Sequence, residues 1–402
     1  MGTHGTGLVI RLGFLLGLLH YATPAVVGTF SLLASIETVS IYFAGLEFNT
    51  FTARRYTKAP TPRRLRMLMR AHTFLVAFTA PTTALVGGFA TVVLKMALSG
   101  PVIALFAVAL LMGCILQETG RYLILNNRPV SSILLSVLRT AAWQPAALLL
   151  ILLHKDPILA IVCCWAIVVT GAATWSIWTM RNELRSRTRF HLSYLRAGLW
   201  KARTYYGISA LSALQGNLER FVLQLFLGPA SVGVFSYFQT LANTMPSLIQ
   251  AAILNLSLPQ LLTKFGRKTP DRWDYRRKVA KRSMLAGLGV GAAICAIAVP
   301  LTTIVSKHDY QSGLWMLPIL LVGQVLLVWT QVSHLALYAA HRDSVLLGFA
   351  ALALAASAVL NLSLISLLGV AGATVAPVLT AGLIAWARQR GLRSLQSEEE
   401  PK

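Results

Sequence analysis

Apolar runs of about 20 residues recur along this chain, each bounded by basic residues or by Pro and Gly, and each long enough to cross a hydrocarbon layer roughly 30 Å thick. They fall at 7–21, 24–47, 72–94, 101–120, 130–153 and 157–180, then at 204–227, 230–258, 283–304, 314–338, 345–368 and 370–387. Twelve transmembrane helices are therefore expected, in an all-α polytopic membrane protein. Composition agrees. With 56% hydrophobic residues, only 12% charged ones and a mean hydropathy of +0.65, an ordinary water-soluble enzyme is excluded. The first run is short and contains Arg11; with no basic region before it and no small-residue cleavage site after it, it reads as a span rather than a signal peptide.

Charge gives the orientation. Lys and Arg number 36 against 13 Asp and Glu, a net +23. Segments 54–70, 181–203 and 264–282 hold 7, 7 and 9 basic residues. In a twelve-span arrangement these share one side with Arg121, Arg128, Arg342 and the four basic residues after 387, while the other side has Lys95, Lys155 and Lys307. The positive-inside bias then places both termini in the cytoplasm, and an odd number of spans would scramble the partition. The same bias explains the excess of base without nucleic acid. Segments 58–70 and 189–203 mix basic with apolar residues and read as interfacial helices on the headgroups, with capture of an anionic headgroup as the alternative. Cys114, Cys163, Cys164 and Cys295 all fall inside spans and read as packed free thiols. No phosphate-binding loop, nucleophile elbow or metal-ligand spacing is visible, so no cofactor, metal or catalytic residue is expected, and the protein reads as a non-enzyme.

The chain also repeats. Pro24-Ala25-Val26-Val27-Gly28-Thr29-Phe30-Ser31 enters the second span and Pro229-Ala230-Ser231-Val232-Gly233-Val234-Phe235-Ser236 enters the eighth, identical at six of eight positions and offset by 205 residues. Six spans per half give two lobes of the same orientation, a parallel repeat about an axis along the membrane normal. Part of the match is turn chemistry, which favours Pro and Gly. The expected domains are a six-helix lobe at 1–180, a basic cytoplasmic linker with an interfacial helix at 181–203, a second six-helix lobe at 204–387 and a cytoplasmic tail at 388–402.

Ionisable side chains at bilayer depth are costly unless they are paired or face water, so they mark candidate sites. Arg11, Glu37, Arg139 and the adjacent Glu219 and Arg220 lie deep in spans, Arg11, Glu37 and Glu219 near mid-depth. Gln215 and Asn217 flank the last pair, Gln239 and Asn243 lie one helical turn apart on the eighth span, and Gln324, Gln331 and His334 share a face of the tenth. Either these groups line a polar cavity, or the acids neutralise nearby arginines and fix helix packing. For Glu118, which reaches Arg121 at i+3, packing is the favoured reading, as it is for Arg139 and His334.

The segment NLERFVLQLFLGPASVGVFSYFQTLAN (217–243) resembles the start of the second lobe in Wzx-type polysaccharide and O-antigen flippases of the multidrug, oligosaccharidyl-lipid and polysaccharide exporter superfamily. The turn at 23–31 looks like its first-lobe counterpart, and LNLSLISLLGVAGATVAPVL (360–379) is similar to that family's last helical hairpin. Glu219 stands where the family more often has Asp. The resemblance implies a MATE-like fold and a flippase for undecaprenyl-diphosphate-linked oligosaccharide repeat units in a bacterial inner membrane, serving lipopolysaccharide, capsule or exopolysaccharide synthesis. It also implies partners: membrane lipids, a polysaccharide polymerase and a chain-length regulator. Arg11, Arg220 and Arg139 would take the diphosphate, Glu37 and Glu219 would tune that charge or couple to a proton, and Gln215, Asn217, Gln239 and Asn243 would line the polar cavity. The alternatives are a cation-coupled multidrug exporter of the same fold, a membrane enzyme acting on lipid-linked sugars, and a non-transporting scaffold in a glycan assembly complex.

Overall fold

A computed structural model describes residues 2–58, 61–181, 192–305 and 308–399, and all regular structure among them is helical. Among the described residues ten helical stretches are long and apolar enough to cross a membrane. One of them, 192–266, is 75 residues long, too long for one crossing, and is broken at Gly228; Val9–Tyr21 adds a shorter apolar helix. Large apolar side chains such as Leu85, Val86 and Phe89 are exposed along one helix face, as lipid contact requires.

The chain divides into two compact units, Met1–Ala213 and Leu214–Lys402. The first contains α1 (Gly2–Tyr21), α2 (Pro24–Gly45), α3 (Phe48–Lys58), α4 (Pro62–Val93), α5 (Gly100–Leu125), α6 (Pro129–Thr140), α7 (Gln144–Leu152), α8 (Pro157–Thr179) and most of α9 (Leu192–Gln215). Six of these, α2 and α4 to α8, begin with Pro at the first or second helical position, where the missing N–H costs nothing. In its core α5 packs against α2, α4, α6 and α8. Ile41, Ala44, Val76, Ala80 and Cys114 form one buried cluster; Phe48, Phe51, Ala71, Leu75, Leu195 and Ala202 form another, which draws α9 into this unit.

The second unit contains α10 (Leu218–Ile249), a π-helical turn at Gln250–Leu254, α11 (Asn255–Gly266), α12 (Arg272–Val305), α13 (His308–Gln311), α14 (Met316–Ala339), α15 (Asp343–Leu368) and α16 (Val370–Glu399). Here α14 is central, packing on α10, α11, α12 and α16. Lys264 and Thr269 hydrogen-bond the Asp271 carboxylate in the turn before α12, holding it below the usual carboxylate range. Gly369, at φ 61°, makes the turn between α15 and α16.

The repeated octapeptides occupy matching places. Pro24 opens α2, and Pro229 follows Gly228, whose φ of 77° and ψ of −179° break α10 in a conformation that only glycine adopts freely. Val27 and Gly28 are buried, and so are their counterparts Val232 and Gly233.

Three boundaries differ from the sequence reading. The segment from Leu192 is continuous with α9, and 62–70 opens α4, so the described parts of both basic-apolar segments are the first turns of long helices rather than separate elbows. The rest of the linker, 182–191, lies outside the described residues, as do 59–60. The segment expected as a tail from 388 is helical as far as Glu399.

Candidate functional site

In the first unit the expected fifth span is interrupted. Pro145 has no N–H to give and its ring crowds the preceding turn, so α6 stops at Thr140 and α7 restarts at Gln144. The break falls directly after Arg139. Arg139 Nη1 donates to Glu37 Oε1 at 2.7 Å, joining α6 to α2.

Arg11, Glu37 and Arg139 line one cavity of about 310 Å³. Arg11 is exposed and within electrostatic reach of both others. Two guanidinium groups therefore face one carboxylate, an excess of one positive charge. The N-terminus of α7 adds the partial positive charge of its unpaired N–H groups. Among the described residues Arg139 Nε and Gln144 Oε1 are buried without a hydrogen-bond partner, and Thr38 and Thr140, whose hydroxyls donate to Ala34 O and Ser136 O, also line the cavity. Its wall is aromatic and firmly packed. Trp143 stacks on Trp165 with ring centroids 5.2 Å apart at 13°, and Phe14 and Phe30 meet Trp143 edge-on at 5.5 and 6.0 Å. Such a site suits an anionic group flanked by a polar or flat ligand portion.

A second charged cluster lies farther along α2 and α5. Glu118, 3% exposed, is 2.8 Å from His72 Nε2 and accepts from Arg121 Nη1 at 3.0 Å; Arg121 Nη2 in turn reaches Glu47 Oε1 at 3.3 Å. Thr50 Oγ1 donates to Glu47 Oε2 at 2.8 Å. The Glu118–Arg121 pair is the i+3 contact read from sequence; His72 and Glu47 were not anticipated as its partners.

In the second unit the expected seventh span is also broken. Gly216 and Asn217 separate α9 from α10, and the candidate residues Gln215, Asn217, Glu219 and Arg220 crowd around that break. Irregular backbone at membrane depth persists where it is buried in protein or lines a cavity. Arg220 Nη1 donates to Asn217 Oδ1 at 3.2 Å; Glu219 is 2% exposed and its Oε2 has no hydrogen-bond partner. Gln239 is buried, whereas Asn243 accepts from Gln324 Nε2 at 2.7 Å, tying α10 to α14. The candidate residues thus fall into two groups, Arg11, Glu37 and Arg139 on one cavity of the first unit and the remainder on the α9–α10 break and the α10–α14 face.

Long apolar helices in two units, each carrying charged residues at a helix break, define an all-helical fold whose helices are long and apolar enough to cross a membrane repeatedly. Solved structures share it. A lipid II flippase, MurJ, in an inward closed conformation matches with a TM-score of 0.77 at 10% identity, over 97% of this chain and 86% of that one. An inward-facing multidrug resistance transporter of the MATE family, MOP superfamily, matches with a TM-score of 0.66 at 14% identity, over 98% of this chain and 100% of that one. A point mutant of the Vibrio cholerae MATE transporter VcmN matches at 0.60 and 13% identity, over 96% and 93%. These neighbours are a flippase and transporters, not enzymes. No family model and no curated protein matches the sequence.

Proposed function

We propose that the protein is a flippase for polyprenyl-diphosphate-linked oligosaccharide repeat units, acting by alternating access in a bacterial inner membrane with both termini cytoplasmic. The observation that carries this reading is the charge excess of the first-unit cavity, Arg11 and Arg139 against Glu37 alone. A diphosphate is a compact anion that pairs well with guanidinium forks. Arg139, held by Glu37, is a fixed member of the site, and Arg11 is the more open cation. Within the second unit Arg220 is a separate candidate cation for the diphosphate, with Glu219 as the group that tunes charge or couples to a proton. Gln215, Asn217, Gln239 and Asn243 offer hydrogen bonds to sugar hydroxyls, and a polysaccharide polymerase and chain-length regulator are the proposed partners. A MATE-type exporter of cationic amphiphiles is the second reading, favoured by the aromatic wall of Phe30, Trp143 and Trp165 and opposed by the positive cavity.

The test is surface display of glycan in a host lacking its own repeat-unit flippase and supplied with the glycan locus from the same genome as this protein. The wild type should restore display and Arg11→Ala should lose it at matched membrane abundance. Display by Arg11→Ala equal to wild type contradicts the assigned site; no display by the wild type, with increased resistance to a cationic dye, favours the exporter.

A further inference from the structure

Basic residues at the ends of spans ordinarily need no explanation beyond topology. Two in the second unit do. Arg276, in the second turn of α12, and Arg388, late in α16, are half-buried and turned onto α14. Arg276 Nη1 donates to Ser333 Oγ at 3.3 Å and Arg388 Nη1 to Thr330 Oγ1 at 3.3 Å. Thr330 and Ser333 are themselves buried and lie one turn apart on α14, so the two guanidinium groups reach one face of that helix from α12 and α16. His334, one turn after Thr330 on this face, is within electrostatic reach of Arg388. Among the described residues the Nε atoms of both arginines and Nδ1 of His334 are buried without hydrogen-bond partners.

Among the described residues no carboxylate pairs with either arginine; the nearby acid Asp274 is engaged with Arg277 at 3.9 Å. Two guanidinium groups withdrawn from water without a counter-charge are unfavourable, and the arrangement becomes favourable when an anion joins it. Position says which kind of anion. Arg388 directly follows Ala387, the last residue of the twelfth apolar run, and Arg276 precedes the apolar run from 283, so both sit where hydrocarbon gives way to headgroups. Basic pockets between helices at that depth fit phospholipid headgroups, and guanidinium forks fit phosphate oxygens.

We propose that Arg276 and Arg388, assisted by Thr330, Ser333 and His334, bind the phosphate of an anionic phospholipid from the leaflet that faces the basic segments. The lipid completes the charge balance among α12, α14 and α16. This site does not depend on the identity of the transported cargo.

The test uses the full-length protein, delipidated in detergent, with native mass spectrometry to count bound molecules and thermal unfolding as a second readout. Added phosphatidylglycerol should bind and raise the melting temperature, phosphatidylethanolamine should do neither, and Arg276→Gln/Arg388→Gln should weaken phosphatidylglycerol binding at least tenfold. Separate arms with inorganic phosphate and farnesyl diphosphate distinguish the source of the phosphate. Phosphatidylglycerol binding by the double variant equal to wild type overturns the proposal. So does farnesyl diphosphate displacing phosphatidylglycerol at lower concentration, which would make the site part of a cargo path. If the double variant does not fold, the wild-type measurement still decides, because equal stabilisation by phosphatidylglycerol and phosphatidylethanolamine also overturns it.

Discussion

Two charged clusters share the α2–α5 helix pair of the first unit and differ in their charge. Glu37 lies opposite Gly113 of α5, and Glu118 is five residues farther along the same helix, about 7.5 Å at 1.5 Å per residue. The Glu37 cluster faces a cavity, carries one cation too many and leaves Arg139 Nε and Gln144 Oε1 unsatisfied. In the Glu118 cluster each carboxylate has a basic partner, and the rings of Phe48 and Tyr122 lie 5.5 and 5.0 Å from that of His72; His72 and Glu118 also line a cavity, of about 380 Å³ and walled mostly by apolar side chains such as Val76, Leu111 and Ile115. Position along α2 and α5 does not by itself separate the proposed binding site from a structural network. The sign of the charge does: two guanidinium groups face one carboxylate at Glu37, whereas two carboxylates, Glu118 and Glu47, share Arg121 and His72.

The comparison breaks most readily at Glu118. Glu118→Ala strips His72 and Arg121 of their shared partner in a buried setting and should cost about 3–5 kcal/mol, read as a large fall in the thermal unfolding temperature in detergent. Unfolding at the wild-type temperature would show that the network does not hold α2, α4 and α5 together. Gly45→Ala attacks the same place sterically, because a Cβ there would collide with the Glu118 carboxylate; about 1–3 kcal/mol should be lost, and combination with Glu118→Ala should be less than additive. Thr50→Ala removes a single hydrogen bond to Glu47 and should cost about 1 kcal/mol by the same measurement. The smallest effect on stability should come from Arg11→Gln, within about 0.5 kcal/mol, since Arg11 is exposed. A loss as large as that of Glu118→Ala would move Arg11 from the binding group to the structural one.

Much of this was legible in the chain because the bilayer imposes simple rules. Apolar length located the helices, the octapeptide repeat located their matching entry turns, and the rarity of charge inside apolar runs singled out Arg11, Glu37, Arg139, Glu219 and Arg220. Residue spacing does not report partners on other helices. It gave Arg121 at i+3 for Glu118 but not His72, 46 positions away, whose place at the start of an apolar run hid its role. The pairing of Arg139 with Glu37 likewise spans 102 positions. The broken spans had a local signal that hydropathy averages away: Pro145 inside the fifth run and Gly216-Asn217 inside the seventh are helix-ending residues. Arg276 and Arg388 were absorbed into the topological charge count, and only their hydrogen bonds to α14 separate them from it.

The central claim is that the Arg11–Glu37–Arg139 cavity binds a diphosphate, and calorimetric titration of the full-length protein with farnesyl diphosphate tests it most directly. Arg11→Gln should bind roughly tenfold more weakly than wild type, about 1.4 kcal/mol, while keeping its thermal unfolding temperature. Equal affinity in the two proteins would contradict the account.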